Sequence, residues 1–255
     1  MSTNRENGSL YTHKENKIAS VEFGHPASNS FPSVLLERLE KEINKLSEDP
    51  DVNVILLKSE GEKAFCAGAS FNELIEIEDL QAGKQFFSGF AGVINAMRKC
   101  NKLIVGRVQG KTVGGGVGLV AACDYALATE AASIKLSELS IGIGPFVIAP
   151  AVERKMGVDA LAEMSLAAHE WKNAYWAKEK GLYAKIFDSI KDLDKEVEIF
   201  TEKLSSYNPQ ALTEMKKILW KNTDHWGELL DERAAISGEL VLSDFTKNAL
   251  AKFKK

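Results

Sequence analysis

The feature that most restricts this fold is a change of hydrophobic period near the start of the chain. Ala19, Val21 and Phe23 alternate with Ile18, Ser20 and Glu22, the period-two pattern of a half-buried strand. Residues 33–47 then place Leu35, Leu36, Leu39, Ile43 and Leu46 on one helical face, with Pro32 ahead and Asp49-Pro50 behind as breakers. Residues 52–57, VNVILL, return to an unbroken apolar run of strand length, which suits a strand buried on both faces. A strand, a helix and a buried strand make a βαβ opening, for which a right-handed crossover is expected. The fold class is therefore α/β.

The alternation continues. The segment AFCAGASFNEL (64–74) precedes a helical pattern over 79–101 that carries Phe86, Phe87, Phe90, Val93, Ile94 and Met97. A strand follows at 103–108, then a glycine turn, a short buried helix, a strand at 125–128 and a short one at 133–136. Glycine marks where this pattern ends: of 19 glycines, only Gly227 and Gly238 lie beyond residue 189. Beyond Phe187 the chain changes to charged amphipathic helices, seen in Leu193, Val197, Phe200 and Leu204 and again in Leu212, Met215 and Leu219. We divide it into an α/β core, 1–189, and a C-terminal helical lobe, 190–255. With 255 residues, 45% apolar and 27% charged, it can bury a large core, which excludes disorder, collagen and small disulfide scaffolds.

Lys plus Arg number 32 against 36 Asp plus Glu, a net charge of −4, and no dense basic run precedes the short tail of Lys252, Lys254 and Lys255. A nucleic-acid partner is not expected from that balance. Cys66, Cys100 and Cys123 are odd in number and form no CxxC pair, which fits a reducing compartment and no metal site. The N-terminus lacks an apolar secretory core, and the longest apolar run, 142–152, is interrupted by Pro and falls short of the ~18 residues that span a bilayer. A soluble cytoplasmic protein without a membrane segment is expected.

Two features carry chemistry. Gly114, Gly115, Gly116 and Gly118 fall just before an apolar helix, where backbone N–H groups can face an anion, although close helix–strand packing alone would also call for glycine. The established phosphate motifs do not fit. A P-loop would need glycine where Val105 stands, and the GxGxxA of Gly116, Gly118 and Ala121 is separated from the 103–108 strand that it should follow directly. The GxSxG of a nucleophile elbow is absent. Glu138 is the second feature. Over 103–150 the carboxylates are Asp124, Glu130 and Glu138, and Glu138 alone is embedded in apolar sequence, where a desolvated carboxyl suits general acid/base work and an ion-paired surface glutamate is the alternative. His13, His25, His169 and His225 share no motif, Cys66 lacks a neighbouring base, and Trp171, Trp176, Trp220 and Trp226 read as packing or interface anchors.

Taken together, AFCAGASFNEL, VQGKTVGGGVGLVAACDYALAT and SIKLSELSIGIGP resemble the enoyl-CoA hydratase/isomerase (crotonase) family. HPASNSFP, NAYWAKEKGLYAKIF and YNPQALTEMKKIL extend the resemblance over most of the chain. It implies a crotonase-like spiral core of ββα units with a C-terminal helical lobe that makes homotrimers, often paired as dimers of trimers. It also implies an acyl-CoA substrate and no separate cofactor, coenzyme A being part of the thioester. By motif position the thioester oxygen would be held by the N–H groups of Ala69 and Gly115. Ala67, Gly68, Phe71, Gly114 and Gly118 would lie along the substrate, and Phe146, in GPFVIAP, would meet the acyl chain.

Departures from the family pattern bear on the reaction. Hydratases of the family use two glutamates; here Gly118 replaces the first and Glu138 matches the second. One carboxylate suffices to carry a proton between two carbons, so isomerisation of an enoyl-CoA is the leading expectation. Hydration or its reverse, decarboxylation of a CoA ester, and a non-catalytic member that binds CoA esters or RNA are the alternatives. Ser70 replaces an Asp and keeps a capping side chain.

Overall fold

The computed structural model describes residues 5–252, so Lys254 and Lys255 of the basic tail lie outside the described residues. Its strands are β1 (Ser9–Glu15), β2 (Ile18–Gly24), β3 (Val54–Ser59), β4 (Ala64–Cys66), β5 (Leu103–Val108), β6 (Lys111–Val113), β7 (Tyr125–Thr129), β8 (Ile134–Lys135) and β9 (Lys185–Phe187). The helices of the first part are α1 (Ser33–Ser47), α2 (Phe71–Leu74), α3 (Leu80–Lys99), α4 (Gly115–Ala122), α5 (Ala149–Met156), α6 (Val158–Leu166) and α7 (Ala174–Glu179). Four more complete the chain: α8 (Ile190–Ser205), α9 (Pro209–Leu219), α10 (Trp226–Leu240) and α11 (Asp244–Ala251). Among the described residues no helix is long and apolar enough to cross a membrane.

The strands form two sheets, one of six strands in the order β1-β2-β3-β5-β7-β9 and one of three in the order β4-β6-β8. The pairs β3/β4, β5/β6 and β7/β8 each send one strand to the large sheet and the next to the small one, which makes the expected spiral of repeated units. Among the described strands all pairings are parallel except the β1–β2 hairpin. Parallel strands covered on both faces are apolar throughout. Accordingly Ile55, Leu57 and Ile104 enter the main core, while Val54, Leu56, Leu103 and Val105 face the other way, toward Leu193 and Val197 of α8.

Helix α1 spans the segment read from periodicity, and its first turn is capped from a distance. Pro32 offers no side-chain cap, and the Glu73 carboxylate instead accepts hydrogen bonds from Ser33 N at 3.0 Å and Ser33 Oγ at 2.5 Å. Strand β3 begins two residues later than its apolar run. Asn53 is tied down as a turn residue, donating from its backbone N to Lys17 O at 2.8 Å and from Nδ2 to Ser205 O at 2.8 Å. Helix α9 is held to the sheet by a buried carboxylate: Asp124 accepts from Lys216 Nζ and Trp220 Nε1, each at 2.7 Å. The helix α10 crosses α3 where Gly83 and Gly238 meet; a Cβ on Gly83 would lie 2.7 Å from Gly238 O.

Candidate active site

Two glycine-bearing segments bring two amides together. After β4, Gly68 takes a φ of +91°, a conformation open to glycine. The chain then runs beside Phe31: Phe31 N donates to Gly68 O and Ser70 N donates to Phe31 O, both at 2.8 Å. In a parallel bridge of this kind the residue between those two bonds turns its own N–H and C=O to the opposite side. That residue is Ala69, which lines a cavity of about 170 Å³.

The second segment follows β6. Gly114 donates to Lys135 O at 2.9 Å and takes a φ of +54° as the residue that opens α4. Gly115 is the first helical residue, so its N–H has no acceptor within the helix and points out of its N-terminal end. A Cβ there would stand 2.4 Å from the Phe90 ring, so a side chain is excluded. Gly68 abuts this turn, with the position of its would-be Cβ 3.7 Å from Gly115 N. Neither the Ala69 nor the Gly115 N–H has a backbone acceptor among the described residues. Helix α4 behind them is buried, which keeps the two donors in a region of low polarity where they act strongly on a developing negative charge.

Glu138 begins a short 3-10 helix, Glu138–Ile141, immediately after the small sheet's last strand. Gly142, with φ +89°, closes that turn, and Ile143 N donates to Glu138 O at 3.2 Å. The carboxylate lies against the glycine turn: a Cβ on Gly114 would be 2.7 Å from Oε1. Its Oε2 is sealed from solvent and has no hydrogen-bond partner. Burial pushes the Glu138 carboxyl up from 4.5 to about 7, with the N–H groups of Glu138 and Ser137 offsetting part of the rise. It is the one ionisable side chain among the described residues that line the cavity.

Ala67, Gly68, Phe71, Gly114 and Phe146 line the same cavity as Ala69, Gly115 and Glu138. Gly118 does not. It lies beneath Ile148, which does line the cavity and whose Cγ2 would be 2.4 Å from a Cβ at that position. Ser70 caps α2, accepting from Glu73 N at 3.3 Å. Cys66 is buried beside Gly116, and burial pushes its thiol up to about 12, which leaves it unreactive. The four histidines lie outside the cavity. Among the described residues no group of His, Cys, Asp and Glu is placed to hold a metal ion.

Two contributions were not assigned from sequence. Phe86, Phe87 and Phe90 read as the core face of a helix, and they form one apolar wall of the cavity. Ser237 of α10 also reaches it, and nothing in its local sequence signals that role.

The sequence profile of the family described as Enoyl-CoA hydratase/isomerase matches residues 13–249. A peroxisomal Delta(3,5)-Delta(2,4)-dienoyl-CoA isomerase of Arabidopsis thaliana is 27% identical over 83% of this chain and 80% of its own length. A short-chain-enoyl-CoA hydratase of Clostridium acetobutylicum is 28% identical over 81% of this chain and 78% of its own. The crystal structure of an enoyl-CoA hydratase from Bacillus halodurans superposes with a TM-score of 0.88 at 18% identity, covering 95% of this chain and 99% of that one, and shows the shared fold.

Proposed function

We propose a one-base double-bond isomerase, starting from the fact that the chain belongs to the enoyl-CoA hydratase/isomerase (crotonase) family. As a member it is an acyl-CoA enzyme. The observation that carries the finer reading is the single carboxylate of the cavity, Glu138, together with the covering of Gly118 by Ile148 at the position of the hydratases' first glutamate.

The chemistry follows from the groups present. In a 3-enoyl-CoA the proton on C2 is acidified by both the thioester and the double bond. The Glu138 carboxylate takes that proton, the C2–H electrons move toward the thioester oxygen, and the N–H groups of Ala69 and Gly115 stabilise the charge that develops there. The Glu138 carboxylic acid then returns the proton to C4, and the double bond closes between C2 and C3. A carboxyl pushed up to about 7 is matched to both halves of this exchange near neutral pH. A hydratase must also hold and activate a water molecule. The position that by the family resemblance would carry the second holder is Gly118, which has no carboxyl and lies beneath the apolar Ile148, and this supports the reading.

The test is incubation with paired 2-enoyl-CoA and 3-enoyl-CoA in heavy water, followed by mass. Interconversion of the two isomers, separated by chromatography before mass analysis, with no gain of water is the expected result. A 3-hydroxyacyl-CoA as the principal product would overturn the reading.

A further inference from the structure

Phe146 lines two cavities. One is the catalytic cavity, and the other, of about 520 Å³, lies between α5, α6 and α10. Its ring rests on Gly144, where a Cβ would stand 2.2 Å from Cζ, so only a glycine allows this position. The ring is therefore an apolar side chain common to both spaces, and its side-chain torsions have other staggered positions.

The second cavity has a distinct chemistry. Leu161, Trp226 and Leu229 give it an apolar wall, and Arg154 and Arg233 give it two cationic groups against one carboxylate, Glu153. Arg154 is fixed: Nε and Nη2 donate to Leu219 O at 3.2 Å and 2.6 Å, and its guanidinium lies 3.7 Å over the Trp220 ring. Two of its five N–H donors are thereby engaged. The Arg233 guanidinium has no ion pair or hydrogen bond among the described residues, its recorded bond being one that its backbone carbonyl accepts from Ser237. A partly apolar pocket lined by two arginines is complementary to a chain that ends in a carboxylate.

We propose that this second cavity is the far end of the acyl site, reached when the Phe146 ring turns aside, and that it receives acyl chains ending in a carboxylate. The proposal rests on the reading of the catalytic cavity as a CoA-ester site. Its test does not require turnover.

The experiment is equilibrium binding by calorimetry of suberoyl-CoA and octanoyl-CoA, which have equal chain length and differ at the tail, with butyryl-CoA as a short reference. Suberoyl-CoA is expected to bind about tenfold tighter than octanoyl-CoA, the scale of one charge-assisted hydrogen bond. In Arg233→Gln that ratio falls toward one, and Arg233→Lys restores part of it. Phe146→Ala raises the affinity for suberoyl-CoA relative to butyryl-CoA. Because each comparison is a ratio within one protein, general weakening of CoA binding cancels. Butyryl-CoA binding with no preference for suberoyl-CoA, or a preference unchanged in Arg233→Gln, overturns the inference alone. Failure to bind any of the three esters overturns the proposed function and the inference with it.

Discussion

Replacing Glu138 by Gln separates a structural cost from a catalytic role. Below pH 4.5 the carboxyl is protonated in both the folded and the unfolded chain and its burial costs nothing extra. Between 4.5 and about 7 the unfolded chain releases the proton while the folded one keeps it, so stability falls as pH rises, and above 7 the full cost is present. At 1.36 kcal/mol per pH unit, a carboxyl raised from 4.5 to about 7 costs roughly 3 kcal/mol. Glutamine has the same shape and no such titration. Its amide leaves a buried donor where Oε2 now lacks a partner, a penalty that does not depend on pH and therefore cancels in a difference of differences. The assay is urea denaturation of both proteins at pH 5 and pH 8.5, at one protein concentration, since the stability of any protein that assembles depends on it. From the lower to the higher pH, Glu138→Gln should gain about 2 to 3 kcal/mol relative to the parent. A stability difference that stays constant between the two pH values would refute the buried, charge-penalised carboxyl and with it the physical basis for Glu138 as the base.

The remaining expectations are of several kinds. For the isomerisation, kcat/KM should rise about tenfold per pH unit below 7 and level off above it, as Glu138 loses its proton, and a flat profile from pH 5 to 8 would remove it from the mechanism. Gly118→Glu alone should misfold or lose stability, since Ile148 occupies the space; combined with Ile148→Ala it should bring detectable hydration, read as 3-hydroxyacyl-CoA by mass. Asp124→Ala leaves Lys216 buried and unpaired, both side chains being less than a twentieth exposed, so urea denaturation should show a loss of about 3 to 5 kcal/mol. We also expect a homotrimer or a dimer of trimers, which light scattering would show as about three or six times the 28.0 kDa chain mass.

Legibility in the sequence followed the strength of local signals. Helix α1 was readable to the residue because five apolar side chains share a face between prolines. Strand β1 was not read, because from Tyr11 onward its side chains are exposed and carry no apolar alternation, and because its turn to β2 uses Asn16 and Lys17, at φ +50° and +63°, instead of a glycine. Strands β4 and β6 have three residues each, too few for any period to show, whereas the short strand expected at 133–136 is present as β8, Ile134–Lys135. For the site, residue type was visible and neighbourhood was not. Glu138 stood out by its apolar surroundings, but the sealing of Oε2 depends on how the 3-10 turn meets Gly114. Gly118 stood out as a missing glutamate, but only the packing of Ile148 against it shows that the space is filled by hydrocarbon.

The distribution of glycine gives one more link between sequence and site. The break near residue 189 separates a glycine-rich part from a helical part, yet Gly238, one of the two late exceptions, falls where α10 meets α3. A Cβ on Gly238 would lie 2.5 Å from Lys84 N, and one on Gly83 would lie 2.7 Å from Gly238 O, so the two backbones touch with no room for side chains. Close approach of helix axes needs small residues at the crossing. Its consequence is that Ser237, the residue beside Gly238, lines the same cavity as the phenylalanines of α3. A larger residue at either glycine would lift α10 and widen the cavity, so the last part of the chain shapes a space from which its composition separates it.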